Sequence, residues 1–161
     1  MRSPFVVLVS VSLAAAPACA PRGESCVIAS VVDGDTLRCG NGARVRLIGI
    51  DAPERSQGAA YGASRRALER IAGVGDTVTL ERDVTPQDRY GRELAWVWHD
   101  TTLVSEAMVA QGYALLFPVP PNVKYVDRIA AAQRRARAAR AGLWATDDFD
   151  CAPGDRRRQR C

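Results

Sequence analysis

The architecture turns on residues 26–50, CVIASVVDGDTLRCGNGARVRLIGI. Val27, Ile28, Val31 and Val32 make 26–32 a β-rich run, which Asp33-Gly34-Asp35 breaks with turn chemistry. Residues 36–39 resume the strand, and Gly40-Asn41-Gly42 supplies a second tight turn. Residues 43–50 alternate at first and then run apolar, which predicts one strand entering a core. Three strands joined by short turns form a meander, and Asp51-Ala52-Pro53-Glu54 ends it in a loop.

Downstream, residues 55–62 are polar and glycine-containing and read as a loop. A helix is predicted over 63–72, with Ala67, Leu68 and Ile71 on one face and Gly73 beyond its end. Residues 76–81 and 92–98 read as a fourth and a fifth strand, with Leu94, Trp96 and Trp98 as the inner face of the fifth. Helices are predicted over 103–111 and 125–141, closed by Gly112 and Gly142, with Leu143 and Trp144 folding back as an apolar clasp. Five short strands with about three helices, one of them following the meander, predict an α+β fold: a five-stranded Greek-key barrel of the OB type.

With 161 residues, 47% hydrophobic and 25% charged, the chain is sized for one folded domain, which excludes a multidomain machine and a disordered chain. The net charge is +4, carried by 21 Arg and one Lys, a balance that permits a polyanionic partner without demanding one. Residues 1–20 read as a secretory signal: Arg2, an apolar run over 5–16 too short to span a bilayer, and a small-x-small cleavage site at Ala18-Cys19-Ala20. A secreted or periplasmic location is expected. Lipidation of Cys19, which would anchor the chain to the envelope, is the alternative. The expected organisation is a signal peptide over 1–20, a barrel domain over 26–146 and a basic tail over 147–161 containing Arg156, Arg157, Arg158 and Arg160.

Export leaves Cys26, Cys39, Cys151 and Cys161, which suggests two disulfides with three possible pairings. A regular hairpin turning at Gly34-Asp35 sets Cys26 opposite position 43, which argues against direct pairing with Cys39, so the connectivity stays open. With no CxxC and His99 as the single histidine, a zinc site is not expected.

Asp33, Asp35, Asp51 and Glu54 flank two turns that adjacent strands bring to one end of the barrel. Taken singly, Asp-Gly-Asp is turn chemistry and Asp-x-Pro-Glu a helix start. Together, clustered carboxylates repel unless a cation lies among them, and oxygen donors without His or Cys select a hard ion. Arg46, on the strand leading to Asp51, and Arg92, opening the fifth strand, complete a set suited to phosphodiester hydrolysis. The cation and guanidinium groups neutralise developing phosphoryl charge, and a free carboxylate handles the attacking water.

The order Val32-Asp33-Gly34-Asp35-Thr36, Arg46-Leu47-Ile48-Gly49-Ile50-Asp51-Ala52-Pro53-Glu54 and Asp88-Arg89-Tyr90-Gly91-Arg92 resembles the staphylococcal nuclease (thermonuclease) family. The resemblance continues through residues 104–112 and Gly142-Leu143-Trp144, and covers about residues 26–146. It implies an OB barrel with three helices and a Ca²⁺-dependent nuclease acting on DNA and RNA. No stable protein partner and a monomeric state are expected. The resemblance implies Asp35, Asp51 and the carbonyl of Ala52 as Ca²⁺ ligands, with Asp33 acting through water. Arg46 and Arg92 match phosphate-binding arginines, Glu54 the catalytic glutamate, and Tyr90 a tyrosine near the phosphate. Water attacks phosphorus, leaving 3′-phosphate and 5′-hydroxyl ends. Two departures bear on the substrate. Ala52 stands where the namesake has Thr. Phe117 and Val119 stand where it has two tyrosines lining the nucleotide pocket, and of these Phe117 alone can stack on a base. A non-catalytic nucleic-acid-binding barrel is the rival reading, and it would show as loss of Asp35, Arg46, Glu54 or Arg92. All four are present. A sugar- or peptide-binding barrel gives the constellation no task.

Overall fold

The computed structural model describes residues 23–161. The signal segment and Cys19 lie outside the described residues. Five strands close a ring: β1 (Glu24–Val31), β2 (Thr36–Cys39), β3 (Arg44–Leu47), β5 (Thr77–Glu81) and β6 (Glu93–His99). Neighbours pair antiparallel in the order β3-β2-β1-β5-β6, and a parallel β3–β6 pairing seals the barrel. Closure removes the exposed edges that an open sheet would present. The ring encloses Ile28, Val31, Leu37, Val45, Leu47, Val78 and Leu80, all buried, at alternating positions in β3 and β5. Helix α1 (Ala59–Ile71) follows the meander, and α2 (Val104–Ala110) and α3 (Val126–Ala138) follow β6 and pack on each other. The α+β, OB-type architecture is therefore as the sequence predicts.

The first hairpin is not regular. Ile28 faces Cys39, but Ser30 faces Arg38, so one extra residue is inserted in β1. The bulge shifts the buried positions from Cys26 and Ile28 to Val31, and brings Cys39 one place closer to Cys26 than the register of Ser30 and Val31 would if it ran on unbroken. Their Cα atoms stand 5.5 Å apart and the two are bonded, which corrects the register argument against this pairing. Cys151 and Cys161 form the second disulfide.

The strand expected over 43–50 is also interrupted. β3 stops at Leu47, Gly49 takes φ +83°, and a separate strand β4 (Ile50–Asp51) pairs with the two-residue strand Leu115–Leu116. A Cβ at Gly49 would stand 2.9 Å from the Trp96 ring, so both the turn and the close approach require glycine. This break swings Asp51 out of the barrel ladder and toward its rim.

Three smaller expectations change. Residues 55–62 are helical: a single turn at Arg55–Gln57, in which the Glu54 N–H donates to Gln57 Oε1 at 2.9 Å, leads into α1. β6 has no single inner face. Trp96 and Trp98 meet Tyr125, while Ala95 and Val97 on the other side are fully buried and Leu94 is half-buried. The strand is paired along both edges and covered on both faces, so it reads as an apolar run instead of an alternation. In the clasp, Leu143 is the buried plug. Trp144 is half-buried, edge-on to Phe149 beneath Arg137. Phe149 packs with Ala60 and Leu143 in a satellite core, so the tail begins from a fixed point.

Candidate active site

Helix α1 sets the Asp33-Gly34-Asp35 turn. Its Tyr61 hydroxyl donates to the Val32 carbonyl at 3.2 Å, and its Arg65 Nε to the Val31 carbonyl at 3.1 Å. Ser64 presses against Gly34 so closely that a Cβ there would lie 2.0 Å from Ser64 Oγ. The glycine between the two aspartates therefore lets the helix close over the turn. Inside it, Asp33 Oδ1 accepts the Asp35 N–H, and Asp35 Oδ1 accepts the Thr36 hydroxyl. Asp35 Oδ2 accepts the Ala52 N–H at 2.9 Å, which ties the first turn to the loop after β4.

Asp35 and Asp51 are both buried, and Arg46 lies between them. Its Nη2 is 3.1 Å from Asp35 and 3.6 Å from Asp51, and its two terminal nitrogens donate to the carbonyls of Leu47 and Ile50 at 2.6 and 2.8 Å. Arg46 thus bridges the break between β3 and β4. Burial pushes the Asp51 carboxyl above its ordinary value against the pull of Arg157. Burial, reinforced by the Asp35 charge, pushes Asp33 up to about 6. On this floor, burial is the foremost cause that disfavours the charged forms of Asp33 and Asp51.

On the opposite wall the loop before β6 is folded by Asp88. Its Oδ1 accepts the N–H groups of Tyr90 and Arg92, and its Oδ2 takes the Arg92 Nε at 2.7 Å. Arg89 and Arg92 lie over the Tyr90 ring at 4.8 and 5.7 Å. A cleft of about 630 Å³ separates the walls. Asp35, Arg46, Asp51, Ala52, Glu54, Tyr90, Arg92 and Phe117 all line it, together with Asp33. A second, more apolar groove of about 450 Å³ continues past Phe117 to Val119, Pro121 and Asn122.

Sequence reasoning missed two participants. In the sequence Asp88 stands out only as part of a motif, although a carboxylate four residues before an arginine in a tight loop is a usable signal. Arg157 is there one of several tail arginines. It sits on the acidic floor, with Nη1 3.1 Å from Asp51 Oδ1 and Nη2 2.7 Å from Asp51 Oδ2, and it also contacts Glu54. His99 ends β6 with Nδ1 at 2.7 Å from the Ile71 carbonyl, so that nitrogen carries the proton and the ring serves the fold.

Among the described residues no three or more His, Cys, Asp or Glu side chains converge as a metal cluster. The floor offers two carboxylates. An all-oxygen donor set of this kind, completed by main-chain oxygen and water, fits Ca²⁺, which accepts irregular and high coordination. It does not suit zinc or copper, which favour nitrogen or sulfur donors.

A closed OB barrel with a cleft of arginines and carboxylates at one end is the frame of a phosphodiester-cleaving nuclease. The chain belongs to the staphylococcal nuclease family: the family described as "Staphylococcal nuclease homologue" matches residues 44–146. It is 35% identical to a thermonuclease of Staphylococcus intermedius over 130 residues, 76% of this chain and 77% of that protein. A thermonuclease of Staphylococcus hyicus is 33% identical over 121 residues, 71% and 72% of the two chains. An endonuclease of Haemophilus influenzae is 36% identical over 147 residues, 88% and 78%. The protein is accordingly a nuclease, a hydrolase acting on phosphodiester bonds. Among the described residues no helix is long and apolar enough to cross a membrane.

Proposed function

We propose that this chain is an exported, monomeric, Ca²⁺-dependent endonuclease that hydrolyses DNA and RNA to 3′-phosphate and 5′-hydroxyl products. The domain carrying this activity spans residues 26–146. The observation that carries the reading is the meeting of Arg46, Glu54 and Arg92 with Asp35 and Asp51 around one open cleft.

In this reading Asp35, Asp51 and the Ala52 carbonyl hold Ca²⁺, which supplies Lewis-acid stabilisation of charge on the phosphoryl oxygens. Arg46 and Arg92 grip the same oxygens from opposite walls, each through a guanidinium already oriented by a carboxylate. Glu54 orients or deprotonates the attacking water on phosphorus. The bond to the 5′ oxygen breaks, and that oxygen leaves as a hydroxyl. Tyr90 lines the phosphate path, and Phe117 stacks on an adjoining base. Val119, half-exposed beside it, contributes apolar contact only. The two disulfides support export through residues 1–20, because such bonds persist in oxidising compartments.

The test is cleavage of plasmid, single-stranded DNA and RNA by the purified mature protein, in Ca²⁺, in Mg²⁺ and in chelator, with analysis of the product ends. Ca²⁺ should give full turnover. Mg²⁺, which demands tight octahedral geometry, should support substrate binding with little turnover. Full activity in excess chelator overturns the calcium assignment. Mass spectrometry of protein from its native compartment should show an N-terminus between residues 19 and 24 and four oxidised cysteines. A diacylglyceryl mass on Cys19 would establish the anchored form instead.

A further inference from the structure

We propose that Arg157 is an intramolecular competitor for the metal site, a tethered cation that must leave the acidic floor before Ca²⁺ can bind; the inference rests on the calcium reading above. Both terminal nitrogens of Arg157 are spent on the two oxygens of Asp51, and Nη1 reaches Glu54 as well. These are a carboxylate assigned to the metal and the carboxylate assigned to the attacking water. With its bidentate contact formed, one lone-pair direction of each Asp51 oxygen is taken, and a fixed positive charge about 3 Å away repels an incoming cation. The two carboxylates in turn raise the Arg157 pKa above its already high value, Asp51 foremost, so the plug stays charged.

The placement does not depend on the ion pair alone. Phe149 is buried against Ala60 and Leu143, and Pro153 is buried where the short helix α4 (Pro153–Arg157) begins. Gln57, in the turn after Glu54, donates to the Cys151 carbonyl at 3.3 Å. The Cys151–Cys161 bond ties the segment into a loop, and a Cβ at Gly154 would stand 3.8 Å from Asp51 Oδ2, so the tail backbone itself overhangs the site. Its neighbours Arg156, Arg158 and Arg160 are exposed, with Arg160 only 3.7 Å from Asp155. Arg157 is exposed as well, but it is the one arginine of the four that reaches the acidic floor.

The consequence is a raised calcium threshold. If docking and Ca²⁺ binding exclude each other, the observed dissociation constant exceeds the intrinsic one by the reciprocal of the undocked fraction. Without calcium the docked guanidinium also relieves repulsion on the floor and ties up Glu54. A divalent ion displaces it by bringing twice the charge and more coordination positions.

Calcium titration calorimetry on the full mature chain, without nucleic acid, tests this. Arg157→Gln should bind Ca²⁺ about 10–100-fold more tightly than the parent, the worth of a charge-assisted pair. Arg157 is substantially exposed, so this variant should fold as the parent does. The double variant Cys151→Ser/Cys161→Ser retains Arg157 but unties the loop, and should fall between the two. In the parent, saturating Ca²⁺ should speed amide exchange over residues 153–158. Equal affinity in parent and Arg157→Gln, with Asp35→Asn binding more weakly than both, overturns this inference and leaves the calcium reading standing. No Ca²⁺ binding in any of these proteins overturns the calcium reading and the inference with it.

Discussion

Asp88 holds Arg92 from both ends: its Oδ2 takes the guanidinium Nε at 2.7 Å, and its Oδ1 takes the Arg92 backbone N–H at 3.0 Å. One carboxylate therefore shapes the loop and aims the guanidinium it presents to the cleft. Burial opposes ionisation of Asp88, but the hydrogen bonds from Arg92 and Tyr90 outweigh it and hold the carboxyl below its ordinary 3.8. A depressed folded pKa stabilises the fold above the unfolded value and ceases to do so as pH falls through the folded one. Asp88→Asn should cost about 1 kcal/mol of unfolding free energy near neutral pH. Urea titrations should show that difference shrinking as pH falls below the ordinary value of 3.8 and lost once pH has passed the lowered folded-state value. A difference that persists undiminished at the acid end would mean that the charge of Asp88 is not what stabilises the loop.

Glu54→Gln keeps the shape of the side chain and its hydrogen-bonding capacity while removing the charge that attracts a proton from water. Turnover should fall about 10²–10⁴-fold with little change in substrate affinity, read from single-turnover kinetics and equilibrium binding. The side chain is 40% exposed, so circular dichroism should be that of the parent. Parent-like hydrolysis that still requires Ca²⁺ would remove Glu54 from its assigned role and make Asp33, across the same cleft, the next residue to test.

The two arginines should fail differently. Arg92→Lys loses the two-pronged phosphate contact and the Nε bond to Asp88 but keeps the backbone bonds that Asp88 accepts, and should lower turnover about 10²–10³-fold at a stability cost of no more than about 1 kcal/mol. Arg46→Lys should lose comparable activity and also about 1–3 kcal/mol of stability. Its guanidinium spans the carbonyls of Leu47 and Ile50 as well as Asp35, and an ammonium cannot reach all three. Denaturant midpoints for the pair separate these outcomes, and equal midpoints would contradict the bridging role.

Phe117 is 37% exposed at the junction of the two grooves. Phe117→Ala should weaken single-stranded substrate binding by about 1–3 kcal/mol, the worth of one stacked base. Binding to short oligonucleotides measures it. Parent-like affinity would put the base elsewhere.

Leu143→Ala should cost about 2–5 kcal/mol, because Leu143 is the plug between α1 and the tail. Trp144→Ala should cost less, since its ring is half-exposed and its buried Nε1 has no hydrogen-bond partner. A larger loss for Trp144→Ala, by thermal unfolding, would reverse that ranking.

Local chemistry was legible along the chain. Turn residues at 33–35 and 40–42, strand alternation in β3, and glycines closing the helices follow from rules that act within a few residues. Motif order then named the residues that line the cleft, because the strands connecting them are short and leave them few places to go. Three features escaped for one physical reason: each depends on contacts between distant segments. The bulge at Ala29 moves Cys39 beside Cys26, and no local pattern marks an extra residue in a strand. Burial of β6 on both faces comes from closing the barrel and packing Tyr125 over its tryptophans, which erases the alternation expected of a half-buried strand. Arg157 meets Asp51 across 106 positions, and it is singled out from three neighbouring arginines only by where Phe149, Pro153 and the Cys151–Cys161 bond fix the tail.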